Sequence, residues 1–265
     1  MWNLKKTQHG RLNDFKKNRY ALIDSLRGLS LISMIGYHAC WNMVYLYGYP
    51  WNWYQGKGAG IWQQSICWTF ILLSGFCWSM GKRQVKNGLL VFCSGLLVSG
   101  VTLFLMPQNR VVCGVLTCIG SCILLLIPLN RVLQRIPAIV GLVGSFVLFC
   151  LTRGINDGWL GIGSWRVFEL PEVWYRQDNG LGIFAAWLGV TPKGFYSTDY
   201  FSLVPWIFLF LTGYFFFHFC KKRNYLSAKL FRMKIPVAES MGKHSLLIYL
   251  AHQPILYLIG NLFLL

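Results

Sequence analysis

The sequence predicts an all-α fold, a polytopic transmembrane helical bundle of about seven spans, eight if its longest loop adds one, with the amino end in the cytoplasm. Three observations predict it. Of 265 residues, 55% are hydrophobic and only 12% charged, too apolar a balance for a soluble domain. The apolar residues come in long runs near the ~20 that a spanning helix needs, not in the period-two alternation of strands. The basic residues cluster in short segments between those runs, which is how charge orients a membrane protein.

Residues 1–20 form a basic arm, with Lys5, Lys6, Arg11, Lys16, Lys17 and Arg19 against a single acid, Asp14. Such an arm suits the cytoplasmic side, against anionic lipid. The next apolar run is too long for a signal peptide and no small-residue cleavage site closes it, so the arm is expected to stay attached. One transmembrane domain is expected over residues 21–265. Its spans fall at about 21–47, 61–80, 89–106, 111–129, 136–151, 201–220 and 245–265. Between the fifth and sixth lies a loop at 152–200, far longer than a connection needs and therefore expected to be functional or partly embedded. It holds five of the chain's eight acids. Its piece "LGIFAAWLGV" is too short to span and reads as a re-entrant or interfacial helix.

The net charge of +17 does not point to nucleic acid. Seventeen Lys and Arg fall in the arm and in the segments 81–88, 130–136 and 221–235; six fall in 48–60, 107–110 and 152–200. That bias places the arm inside and, after seven spans, residue 265 outside. The nine cysteines lie in or beside apolar runs without a C-x-x-C pair, so they read as small core residues and not as a disulfide framework or a metal site.

The first span opens "RYALIDSLRGLSLISMIGYHACWN". At 100° per residue, Arg27 lies about 60° from Asp24, His38 about 40° and Asn42 about 0°, so the four polar groups share one face. Arg27 and His38 are roughly 16 Å apart along the axis. One reading is a stripe that satisfies itself, with Asp24 and Arg27 paired three residues apart. The other is a functional site, because ionisable groups inside a span are costly and default to that role. His244 marks the cytoplasmic start of the last span. His252 and Gln253 lie deeper, before Pro254, and either line a channel or serve packing. Asp199 stands at the entrance of the sixth span, as a catalytic acid or a helix cap. Trp51, Trp53 and Tyr54 read as an aromatic belt or a sugar-stacking surface. Ser74 and Gly75 read as close helix packing.

Arginine, ten residues, then histidine in the first span resembles the acyltransferase-3 signature. The wider match resembles the heparan-alpha-glucosaminide N-acetyltransferase catalytic-domain family and its small bacterial members. It is carried by "RYALIDSLRGLSLISMIGYH", "FILLSGF", "GVLTCIGSCILLLIP", "STDYFSLVPWIFLFLTGYF" and "GKHSLLIYLAHQP", in order from about residue 19 to 254. Small relatives often carry His after "GVL"; here it is Thr117. The resemblance implies a transmembrane acyltransferase of the bacterial cytoplasmic (inner) membrane. The donor would be acetyl-CoA, the acceptor a hydroxyl or amine of an outer-face glycan or sugar, and no metal would be needed. His38, Asn42 and Asp199 would be catalytic; Arg27, Asp24, His244, His252 and Gln253 would hold the donor. Membrane lipid would be a partner, and a homo-oligomer is left open. A transporter or flippase of a charged lipid or sugar would use the same stripe as a pathway, and a non-catalytic assembly protein is the third reading.

Overall fold

Apolar runs without alternation leave the backbone one way to satisfy itself in lipid, and the chain takes it. The computed structural model describes residues 20–176 and 180–264. It is 74% helix, which leaves the loops as the only places for other structure. Helix α1 is Ala21–Trp41, continued by a π turn over Asn42–Leu46. Next come α2 (Lys57–Trp78), α3 (Gln84–Leu105), α4 (Val115–Leu133) and α5 (Ala138–Leu151). The short α6 (Gly182–Leu188) precedes α7 (Leu203–Lys222), and α8 (Lys229–Arg232), α9 (Pro236–Lys243) and α10 (Ser245–Leu264) close the fold.

Among the described residues, five helices are long and apolar enough to cross a membrane: Gln84–Leu105, Val115–Leu133, Ala138–Asp157, Leu203–Lys222 and Ser245–Phe263. The first two expected spans also form long helices, α1 and α2. They are more polar, with Asp24, Arg27 and three serines on α1 and two glutamines on α2. The arm at 1–19 lies outside the described residues.

Strand was not expected, yet the long loop contains some. Trp159–Ile162 (β1) and Trp165–Glu169 (β2) pair antiparallel, Leu160 opposite Phe168. The connection is two residues, and Gly163 takes the left-handed conformation (φ 62°) that tight hairpins use. Around the hairpin the loop is well bonded. The Tyr175 hydroxyl donates to the Ile155 carbonyl, and the Trp187 indole donates to Ser121 of α4 at 3.0 Å. The segment "LGIFAAWLGV" contains α6, whose seven residues span about 10 Å.

The chain divides into two compact units. The first joins the chain up to Trp62 with Asn224 onward; the second is Gln63–Arg223. Helix α2 contributes its opening turns to the first and the rest to the second.

In the first unit α1 is gripped by α9 and α10. Gly28 of α1 lies against the Ala238 carbonyl of α9, and Gly242 of α9 lies against the Asp24 carbonyl. A Cβ at either glycine would overlap that oxygen, so the close crossing requires both. The Ile235 N–H donates to the Ser25 hydroxyl at 3.0 Å, fastening the entry to α9. α9 thus runs antiparallel to α1. The chain turns at His244, and α10 runs back parallel to α1: His252 meets His38, Gln253 meets Asn42, and Gly260 meets Tyr47.

In the second unit α2 and α7 cross by the same device. Gly75 abuts the Phe210 carbonyl and Gly213 abuts the Leu72 carbonyl, in agreement with the packing role expected of Gly75. Gly95 and Gly120 let α3 and α4 approach, and Ser145 of α5 bonds Thr212 of α7 at 3.0 Å.

Candidate active site

The polar stripe of α1 meets α10 in two layers, both inside the first unit. In one, the rings of His38 and His252 lie 4.9 Å apart, centroid to centroid, tilted by 53°. His252 is buried and His38 half-buried. The Nδ1 of His252 meets the Tyr249 carbonyl one turn back. A carbonyl only accepts, so Nδ1 carries the proton and Nε2 keeps its lone pair. Among the described residues, that Nε2 and the Nδ1 of His38 are buried without a hydrogen-bond partner. Buried polar atoms in native folds are nearly always satisfied, so two such atoms on neighbouring rings single the pair out.

The second layer is one helical turn further on. Asn42 and Gln253 face each other as a reciprocal amide pair, each amide donating to the other's oxygen at 3.4 Å. Asn42 is also where α1 changes pitch: its carbonyl accepts the Tyr47 N–H five residues on, at 3.0 Å. π turns of this kind recur at functional sites.

Aromatic rings wall the imidazoles. Tyr37 packs edge-on to His38 at 5.7 Å and to Trp62 at 5.3 Å, and it contacts Tyr54 at 5.2 Å. The Tyr54 hydroxyl donates to the Tyr37 carbonyl at 3.0 Å, and the Trp62 indole donates to Ser33 at 2.7 Å. Tyr54 is therefore buried behind the site, whereas Trp53 of the same loop is exposed and stacks on Trp51.

At the other end of α1 the Arg27 guanidinium meets Asp24 at 3.4 Å, and Asp24 is almost wholly buried. His244 is exposed at the α9–α10 turn, two residues past Gly242, which touches Asp24. The structure thus groups seven of the eight expected site residues in one unit. Asp24, Arg27 and His244 fall at one end, and His38, His252, Asn42 and Gln253 toward the other.

Asp199 belongs to the second unit. Its Oδ2 accepts the Val115 N–H at 3.3 Å, the first N–H of α4. Of the two sequence readings this geometry fits a cap, on α4 and not on the α7 that follows it. Burial pushes its carboxyl up to about 6, against the opposing pull of the Val115 N–H. Ser197 beside it accepts the Val112 N–H at 2.9 Å. Thr117 donates to the Gly114 carbonyl at 2.6 Å within the same helix start.

Two polar features escaped the sequence reading. His218 of α7 bonds Ser79 at 3.2 Å, a partner 139 residues away that no local pattern announces. Arg153 bonds Gln64 at 3.0 Å, with its guanidinium 5.4–5.7 Å from the rings of Trp68, Phe149 and Trp206. Among the described residues, no group of three or more His, Cys, Asp or Glu is placed to hold a metal ion.

Five apolar helices of spanning length mark an integral membrane protein, and its first unit holds the His38–His252 ring pair. Residues 19–254 match the family model of the heparan-alpha-glucosaminide N-acetyltransferase catalytic domain, and the chain belongs to that family. The matched interval runs from the first residue of the motif "RYALIDSLRG" to the proline that closes "HSLLIYLAHQP". The chain thus carries a membrane acetyltransferase domain. No curated protein and no solved structure matches it.

Proposed function

We propose that the chain transfers an acetyl group from cytoplasmic acetyl-CoA to a hydroxyl or amine of a glycan or sugar on the outer face of a bacterial inner membrane. The observation that carries this reading is the His38–His252 pair, with two buried ring nitrogens that no described residue satisfies. Acetyl-CoA supplies a thioester carbonyl; the chain's own residues supply the rest. His38 takes the proton of the acceptor O–H or N–H as the acceptor attacks that carbonyl, and it returns a proton to the departing thiolate. The products are the acetylated acceptor and free CoA. His252 packs beside His38 with its proton on Nδ1, so its Nε2 lone pair is open to a proton that His38 gives up. Asn42 and Gln253 lock α1 to α10 beside the rings.

Arg27 and the turn at His244 are the groups proposed to meet the donor's phosphates. Arg27 is paired with Asp24, so a phosphate there would share the guanidinium fork with the carboxylate. The exposed Trp53 and the half-buried Trp51 stacked on it are proposed to receive the acceptor. Asp199, bonded to the start of α4, enters no step.

Turnover by the purified protein tests the reading. Acetyl-CoA and membrane glycan or glucosamine are added, and free thiol and acetylated acceptor are measured together. Both should rise with time and depend on His38. Movement of a charged lipid or sugar across reconstituted vesicles, without thiol release, would replace this reading with the transport one.

A further inference from the structure

The second unit contains a cavity of about 600 Å³ that the acyl-transfer reading does not use. Its walls are the α4–α5 connection and the final turns of α7. Arg135, Lys221 and Lys222 reach it from those two segments, all exposed at its rim. None of its lining residues is acidic. Its floor is polar: His218 is tied to Ser79 at 3.2 Å, and the buried Tyr214 donates to Asn130 at 2.7 Å. One wall is apolar, built from Ile136 and Phe215.

The start of α5 also faces it, through Pro137 and Ala138. α5 has 14 residues and no side-chain cap hydrogen bond at its amino end. Its first N–H groups carry the positive end of the helix dipole. Lysines in the last turn of α7 complement that helix's own carboxyl end, which accounts for each singly. It does not account for cations from two segments converging, without an acid, on one cavity at an uncapped helix start.

We propose that this cavity is a phosphate-binding site, with Arg135, Lys221 and Lys222 holding the anion and Ile136 and Phe215 taking an adjoining apolar chain. Phosphate esters match this chemistry: Arg binds the oxygens as a planar fork and Lys as a point charge. An anionic phospholipid headgroup and a free phosphate share it.

Two probes separate these sources: a short-chain phosphatidylglycerol and inorganic phosphate, each titrated against the purified full chain in neutral detergent. Removing cations in Arg135→Gln and Lys221→Gln/Lys222→Gln should weaken binding by about fivefold per cation. If the lipid binds more tightly than phosphate and loses this affinity, the source is a headgroup. If phosphate alone binds equally well and loses it, the source is a free anion. Lys221→Arg/Lys222→Arg keeps the charge and should bind like the parent, which separates loss of the site from loss of fold. Lys82→Gln/Lys86→Gln removes two exposed cations outside the cavity lining and should change nothing. Unaltered binding of both probes in the cavity variants overturns the proposal, as does an equal loss in the Lys82/Lys86 control.

Discussion

His38 and His252 lie 214 positions apart in the chain and 4.9 Å apart as rings. The Tyr249 carbonyl holds the proton of His252 on Nδ1, so the pair presents two ring nitrogens in the first unit, His252 Nε2 and His38 Nδ1, without a partner among the described residues. His38→Ala should reduce acetyl transfer by at least the ~10²–10⁴-fold typical of lost acid–base help, while the protein still inserts. His252→Ala should lose less. The double variant should lose no more than His38→Ala alone, because residues that act as a unit are not additive. Near-full activity in folded His38→Ala would make the pair structural.

Asn42 and Gln253 test whether the second layer supports the first. Asn42→Ala leaves the Gln253 amide without its partner and should cost about 1–3 kcal/mol of stability. Asn42→Ala/Gln253→Ala should cost less than the sum of the singles, since neither amide is then stranded. The check is a thermal melt of each purified variant. Activity should fall less than in His38→Ala.

Gly28 and Gly242 admit no side chain where α1 and α9 cross. Gly28→Ala or Gly242→Ala should destabilise the fold by about 1–3 kcal/mol through overpacking against a carbonyl that cannot move aside. Gly36→Ala on the same helix is the control, because a Cβ there meets only the Trp62 ring at ordinary contact distance. Equal melting temperatures for all three would remove the crossing as a constraint.

Most of the architecture was legible from hydrophobicity alone. All seven apolar runs became helical, and five of the helices are long and apolar enough to cross a membrane, because a run of about 20 apolar residues has little alternative in lipid. The hairpin at Trp159–Glu169 does not show in the sequence, although "LGIGSWRVF" carries a two-residue Gly-Ser connection, because its strands are only four and five residues long and lack a regular apolar–polar alternation. The stripe on α1 followed from helical spacing, which is a local property. Its partners did not: the contact of His38 with His252, and of Tyr37 with Tyr54, depends on how α10 and the aromatic loop return to α1. The sequence offers Asp199 as a cap or an acid, but the helix start it bonds lies 84 residues earlier.

Asp199 gives a pH dependence. Its carboxyl stands at about 6 in the fold, against 3.8 for the ordinary group, so the fold favours the protonated form. The folded state therefore binds more protons between these values, and stability should rise as pH falls from above 6 toward 4. The gain is on the order of 3 kcal/mol. Asp199→Asn keeps an oxygen for the Val115 N–H and should flatten this part of the profile. Melts of parent and variant from neutral to acid pH decide it; identical slopes would count against an Asp199 that takes up a proton in the fold.

Arg27 tests the donor end, and labelling tests the orientation. Arg27→Lys should weaken CoA binding although charge is kept, because a point charge cannot reproduce a planar fork. Unchanged CoA binding in folded Arg27→Ala would leave only its pairing with Asp24. Cysteine labelling should place residues 86 and 222 inside and residues 57 and 193 outside. A cytoplasmic residue 57 would reverse the proposed donor route.

The parallel run of α1 and α10 carries an arithmetic consequence. A chain that crosses a membrane and later crosses again in the same sense has crossed an odd number of times in between. With α1 and α10 both crossing, as the proposed topology has them, their layers can meet in register only while that parity holds. Under that topology the chain could gain or lose crossings between the two helices only in pairs, as whole helical hairpins. A single added or deleted crossing would bring α10 back upside down, and His252 would no longer find His38.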